Sequence, residues 1–393
     1  MATVVVQRPP AALAPAGALE IRIERRSRLD ALAPWRARWN ALAARSRTAT
    51  VFQTFDWHAS WWTAFGADHE LFVITLTEDD ALAGIAPLML SLRWIAGRPR
   101  RVLQFIGLHA SDYCDFIFDQ ARPHVLGALL DGLAAHADLW DVLDLRNLPD
   151  GAAGLEVPTF FARPGLRTDV RFWTEAPTWV FGDADADRKL VSKKSLRRHH
   201  NHFARQGRLE FMHLKSAPEI LPWLDAFFSQ HVERWAATDT PSQFRDRRQR
   251  RFYWEMVANL APTGALLFSV VLLDGAPLAF HLGFDYGDRI TWYKPTYNVA
   301  LARHSPGEVL IKGLLEHALA EGVAEFDFSC GEESFKYRFA NRARAIRSVH
   351  AFREPLPAYG DRLAFDLRVW AKRSPLLTSL ARRAKRLRAI GIG

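Results

Sequence analysis

Between Tyr297 and Phe339 stand residues whose types and spacing suit a phosphorylated ligand and transfer of a group from it. Ser305-Pro306-Gly307-Glu308 opens a helix with proline at its first position. Backbone N–H groups at Gly307, Glu308 and Val309 are then free to meet an anion. Glycine lets a phosphate approach the backbone closely, and Arg303 and Lys312 add positive charge nearby. The competing reading is an ordinary helix start, with Ser305 as its cap.

Asp327 lies between Phe326 and Phe328 on a short apolar strand, so alternation turns it to the face opposite both rings. A carboxylate at a strand end beside a helix start suits a base that takes the proton of an acceptor amine. Pairing with Lys336 or Arg338, or bonding to a loop backbone, is the structural alternative. Glu333 and Lys336, three apart, read either as an ion pair or as groups that order the acceptor and meet a phosphate. His281 and Tyr293 fall on neighbouring predicted strands and would act as base and acid if they face one cleft. A histidine on an apolar strand is otherwise a core residue. Lys193 with Arg197, and Lys194 with Arg198, repeat like charge at i,i+4. That mildly unfavourable spacing points to an anionic partner, against a solvated basic face. Arg245–Arg251 carries the same ambiguity.

These groups need a scaffold, and the hydrophobic pattern supplies one. The first half reads as a strand over Glu20–Arg25, a helix over Leu29–Ala44 and an aromatic helical stripe over Phe52–Phe65. Next come a hairpin (Leu71–Thr77, Leu82–Leu92), strands at Val102–Ile106 and Tyr113–Phe118, a helix over Pro123–Ala137 and a strand at Asp141–Leu145. In the second half a basic helix, Ala186–Gln206, leads to the strand Leu209–Leu214 and to helices over Leu221–Ala237 and Gln243–Leu260. A meander, Leu266–Leu273, Pro277–Phe284 and Ile290–Lys294, turns at Asp274-Gly275 and Gly287-Asp288. The helix Gly307–Glu321 and strands at Val323–Phe328 and Ala345–Phe352 close the order. LFVITLTEDDALAGIAPLML parallels LLFSVVLLDGAPLAFHLGF, and LWDVLDLRN parallels VAEFDFSCG, which marks an internal duplication of one α/β unit. Only the second copy has glycine in the turn before its helix, so one reactive site is expected, in that copy.

At 393 residues two domains are the natural division, with 1–18 a flexible leader, 19–175 and 176–356 the two units, and 357–393 a tail. The residues near Pro164–Pro177 are expected to be the crossover. Cys114 and Cys330 are too few for a disulfide framework or a structural zinc site, no metal is expected, and a reducing cytoplasmic setting follows. No apolar run is long enough to span a membrane. The net charge of +9 is concentrated in the tail, where nine basic residues face only Asp361 and Asp366. Leu376, Leu380, Leu387 and Ile390 share that tail with Arg382, Arg383, Lys385, Arg386 and Arg388. This is the pattern of a helix lying on an anionic membrane surface, and a basic helix packed on the body is its alternative.

SKKSLRRHHNHFARQGRLEF, and the run from HSPGEVLIKGLLEHALAEG to FDFSCGEESFKYRFA, resemble the GNAT acyltransferase superfamily. The likeness is greatest to its tandem, FemAB-like branch that includes CelD-type cellulose-biosynthesis acetyltransferases. The resemblance implies an α/β fold of two tandem GNAT-like domains, with a mixed sheet splayed between strands to admit acyl-coenzyme A. It implies attack by an acceptor amine, and raises Pro306–Val309 to a pyrophosphate cradle. Acceptors of this branch are envelope material, either long-chain amino lipids, as in bacterial ceramide synthesis, or polysaccharide and lipid-linked amino sugars. Together with the tail, this gives an N-acyltransferase peripheral on the inner face of the cytoplasmic membrane. A single glycine stands where many members have two, which leaves room for an aminoacyl-tRNA donor or for a non-catalytic adaptor in an envelope assembly.

Overall fold

The strands of both halves hydrogen-bond into one mixed sheet. The computed structural model describes residues 5–7, 19–24, 29–95, 97–162, 166–236, 238, 241–353 and 360. In the first half β1 (Val5–Gln7), β2 (Leu19–Glu24), α1 (Arg36–Arg45) and α2 (Phe55–Phe65) precede the hairpin of β3 (Glu70–Glu78) and β4 (Ala81–Ile95). β5 (Arg98–Phe105), β6 (Ile117–Phe118), α3 (His124–Ala135), β7 (Val142–Pro149), α4 (Val157–Phe160) and β8 (Arg167–Val180) follow. The second half opens with α5 (Ala184–Val191), α6 (Lys194–Ala204), β9 (Leu209–Leu214), α7 (Ala217–Ile220), α8 (Leu224–Ala236) and α9 (Arg247–Leu260). Its meander is β10 (Leu266–Leu273), β11 (Ala276–Asp285) and β12 (Arg289–Tyr297). α10 (Pro306–Glu321), β13 (Glu325–Asp327), α11 (Ser334–Tyr337) and β14 (Arg342–Phe352) complete it. Asp79-Asp80 and Asp274-Gly275 both take positive φ, the twist that tight hairpins need.

The final strands of the two units are exchanged. β14 lies between β7 and β8, and β8 pairs in turn with β13, so each unit's last strand sits in the other's half of the sheet. The fold is thus a tandem pair of α/β units sharing a mixed sheet. The expected crossover at Pro164–Pro177 is largely strand, and the expected boundary at 175/176 falls inside β8. Its alternating, β-branched and aromatic sequence fits a paired strand better than a linker. Within the expected leader, Val5–Gln7 form β1, antiparallel to β2. The single basic helix Ala186–Gln206 is two helices, α5 and α6, broken at Ser192-Lys193, where Ser192 Oγ bonds the Arg188 carbonyl. The amphipathic tail lies outside the described residues apart from Gly360. Among the described residues no helix is long and apolar enough to cross a membrane.

The aromatic stripe of α2 is core, as its spacing predicts, and it joins the halves. Trp57 meets Phe252 of α9 at 5.2 Å and Phe284 of β11 at 5.7 Å. One gap in the sheet matters most. β12 pairs with β13 only over Arg289–Thr291, and along Trp292–Tyr297 that edge has no strand partner among the described residues. The corresponding β5–β7 pair of the first unit also parts early, after Gln104 and Asp144. There Phe105, Leu108, Cys114 and Phe116 pack with Leu145 and Leu148 into core.

Candidate functional site

The open edge of β12 borders a cavity of about 720 Å³. Ser305, Gly307 and Glu308 at the start of α10 line one side, Trp292 to Tyr297 another, and Phe328 to Lys336 a third. Arg234 and Trp235 of α8 close the flank, and Asp112 arrives from the first unit.

Asp112 is brought in by the loop after β5, which the second unit grips at several points. Tyr293 Oη donates to the Ala110 carbonyl at 2.7 Å, and Cys330 Sγ to the Asp112 carbonyl at 3.0 Å. Tyr113 Oη donates to Asp327 Oδ1 at 2.8 Å, and the Ser329 hydroxyl bonds the Asp112 carboxylate. Trp57 Nε1 fixes Ser111 Oγ from the first unit at 2.8 Å. Burial raises the Asp112 pKa above the ordinary carboxylate value, with Lys294 the strongest opposing influence. Burial lowers the Lys294 pKa, against the pull of Asp112. A carboxylate of raised proton affinity, within the field of an ammonium of lowered affinity, is suited to accepting a proton.

Asp327 does not face the cavity. It is fully buried, accepting from Tyr113 and from the Ser329 N–H at 2.7 Å, with Arg344 Nη1 at 3.6 Å. Alternation is as predicted, since Phe326 and Phe328 enter the α10 core on the other face. The carboxylate is a loop anchor, the structural alternative, and the expectation of a base gives way to that position. His281 is likewise core. It is fully buried, stacks on Trp292 at 5.0 Å, and burial lowers its pKa to about 3. Gly283 leaves the room for that ring, because a Cβ there would lie 2.1 Å from His281 Cε1. Tyr293 does line the cavity, but its hydroxyl is committed to Ala110, and burial raises its pKa well above the usual value.

Glu333 and Lys336 form the ion pair, at 2.9 Å. Lys336 is 4 % exposed and also donates to the carbonyls of Cys330 at 2.8 Å and Ser329 at 3.3 Å, so it braces the loop that holds Asp112. Lys336→Met is expected to cost about 2–3 kcal/mol, because it strands those carbonyls, and thermal melting checks it. A loss of turnover with unchanged melting would return Lys336 to the acceptor side.

At the cradle, Pro306 opens α10, but Ser305 does not cap it. Ser305 takes a left-handed conformation (φ 56°), and its carbonyl accepts from the Glu308 N–H at 2.9 Å. The Gly307 N–H is a first-turn donor with no backbone partner in the helix itself or, among the described residues, in the neighbouring turns. Val309 and Pro306 are buried core rather than lining. Glu308 puts a carboxylate in the same turn, held by Arg338 and with His199 Nε2 3.9 Å away. Arg303 is exposed and bonds His304, while Lys312 pairs with Glu316, and neither lines the cavity. Of the basic helix, Lys193 donates to the Arg338 carbonyl at 2.8 Å. Lys194, Arg197 and Arg198 are exposed on α6, which packs beside α10 outside the cavity.

Asp112, Lys294 and Arg234 were not singled out from the sequence. Lys294, ending an apolar strand just before Pro295, gave a local signal. Asp112 gave none, since its loop was read as the edge of a strand, Tyr113–Phe118, of which only β6 forms. Among the described residues no group of three or more metal-ligating side chains gathers.

Residues 192–337 match the family profile of the acetyltransferase (GNAT) domain. A crystal structure of FemX superposes with a TM-score of 0.57 at 10% identity, over 80% of this chain and 95% of that one. A conserved protein of unknown function from Bacteroides thetaiotaomicron gives 0.53 at 11%, over 84% and 99%. The C-terminal domain of a protein described as a lysylphosphatidylglycerol synthetase from Agrobacterium fabrum gives 0.51 at 12%, over 83% and 93%. No curated protein sequence matches the chain. At such identities these likenesses speak for fold alone. Residues 192–337 are thus matched to the GNAT acetyltransferase domain, and the fold of the chain, paired α/β units on a shared mixed sheet, is like that of FemX.

Proposed function

We propose that the protein is an acyl-coenzyme A-dependent N-acyltransferase acting on the amine of a membrane-associated envelope acceptor, an amino lipid or a lipid-linked amino sugar. The observation that carries this reading is the unpaired edge of β12, which leads from the first turn of α10 to Asp112 within one cavity. Amide groups of an extended donor arm can add to that edge as a strand would. The Gly307 N–H and the positive end of α10 suit a pyrophosphate, with Arg338 balancing Glu308. When bound, the donor supplies an acyl carbon activated by its thioester. At that carbon the amine nitrogen forms its new bond as the carbon–sulfur bond breaks, and the amine's proton passes to the Asp112 carboxylate. Lys294 balances the charge on Asp112, while Ser329, Tyr113 and Lys336 position its loop. The first unit's role is then to shape the acceptor side.

Thermal melting with coenzyme A tests the donor. At about a hundredfold excess over Kd the ligand stabilises by about 3 kcal/mol, and no shift at saturation sinks the assignment. Gly307→Val is expected to abolish the shift. The Cβ itself would come within 3.3 Å of the Tyr297 ring, and valine's methyls would crowd the turn.

Aminoacyl-tRNA is the second donor, favoured by the exposed Lys194, Arg197, Arg198 and Arg303 around the start of α10. It predicts tRNA retention that falls steeply with salt. Binding of neither donor would leave an adaptor role.

A further inference from the structure

The β4–β5 hairpin runs past the body of the protein. Leu90 is the last buried apolar residue of its face, at 7 % exposure, and beyond it Leu92 is 71 % and Trp94 77 % exposed. Both point to one side of β4, by the two-residue period of a strand. The hairpin segment from Leu92 to Arg101 holds four arginines and no acidic residue. Arg93 pairs with Asp144 of β7 and Arg101 with Asp141 just before that strand, and Arg98 and Arg100 lie on the returning strand.

The register places a second feature at the same end. Ser91 lies opposite Val102, Val102 beside Val142, and Val142 opposite Phe352, where β14 ends. The chain therefore leaves the sheet three strand spacings from β4, about 14 Å across at the usual strand spacing. From there its sequence continues into the segment whose nine basic residues face two acidic ones. Arg167 and Arg353 are exposed in the adjoining row.

We propose that the β4–β5 hairpin is a membrane-docking element that seats Leu92 and Trp94 in the interface of an anionic bilayer. Tryptophan prefers the headgroup level, arginines beside it suit lipid phosphates, and the sequence that follows β14 is rich in basic residues. The inference extends the proposed membrane-borne acceptor but does not depend on the donor.

Flotation of the full-length protein with vesicles of phosphatidylcholine mixed with phosphatidylglycerol tests it. The double variant Leu92→Thr/Trp94→Thr should melt like the wild type, because both side chains are already in water. It should lose vesicle binding on the order of tenfold, as expected for withholding a large aromatic and a leucine from the interface. Arg98→Gln should weaken binding mainly at low salt. Unchanged binding by the double variant overturns the proposal, also when Arg382, Arg383 and Arg386 are replaced by glutamate in the same chain. If the wild type self-associates without lipid and the double variant is monomeric yet binds vesicles equally, the patch belongs to a second copy and the proposal fails. The coenzyme A melting shift should be the same in both proteins. Its absence would count against the acyltransferase reading and leave the hairpin untouched.

Discussion

Asp112→Asn is expected to lower turnover by about 10²- to 10⁴-fold, the range for removal of a positioned general base. Asparagine keeps the size of the side chain and can still meet the Ser329 hydroxyl, so the loop should stay docked and the coenzyme A shift should persist. The same substitution at Asp327 separates the two carboxylates. Asp327 is buried under Tyr113, Ser329 and Arg344, so Asp327→Asn should appear first as lost stability, and in turnover only through a loosened loop. If Asp327→Asn retains full stability and loses more activity than Asp112→Asn, the roles are reversed.

The pH profile gives a readout that a purely structural Asp112 would not move. A base must be deprotonated, so activity rises with pH through the raised Asp112 pKa. It falls again as Lys294, whose pKa is lowered, gives up its proton. Asp112→Asn should flatten the acid limb and move the alkaline one to lower pH, and Lys294→Met should flatten the alkaline limb and move the acid one to higher pH. A wild-type profile without an acid limb would remove Asp112 as the base.

Much of this arrangement was written locally in the chain. The meander with its Asp-Gly turn, the proline start of α10 and the Phe-Asp-Phe alternation of β13 all follow from short-range rules, and the duplication exposed the tandem plan. Residues that depend on the partner unit were not legible. Asp112 lies in a loop whose conformation is set by Tyr293, Ser329 and Cys330, all far off in sequence. The exchange of β8 and β14 is equally silent, since either strand satisfies the same alternation in its own unit or in the other. Asp327 shows the reverse error. A carboxylate on an apolar strand invites a chemical reading, but nothing in its neighbours tells whether the face it meets is a cavity or a tyrosine from the other half.

Acidification should weaken the fold through histidines that the core holds neutral. His58 and His281 are 3 % and 0 % exposed, and burial lowers each pKa to about 3. Neither His58 ring nitrogen finds a hydrogen-bond partner among the described residues. In the unfolded chain both titrate near 6.5, so the unfolded state binds protons first as pH falls. Their contribution is therefore complete above about pH 6.5 and is lost progressively from there towards pH 3. At pH 5 each has lost about 2 kcal/mol and the two together about 4, a large share of a typical 5–15 kcal/mol. Asp115 works the other way. Burial raises its pKa to about 6, so its protonation on acidification favours the fold by about 1 kcal/mol at pH 5. The histidines outweigh it. Urea denaturation at pH 7.5 and pH 5 should show the loss, and His58→Leu, which cannot be charged, should reduce it by about 2 kcal/mol. An equal loss in wild type and variant would mean that His58 is not one of the groups through which acid acts.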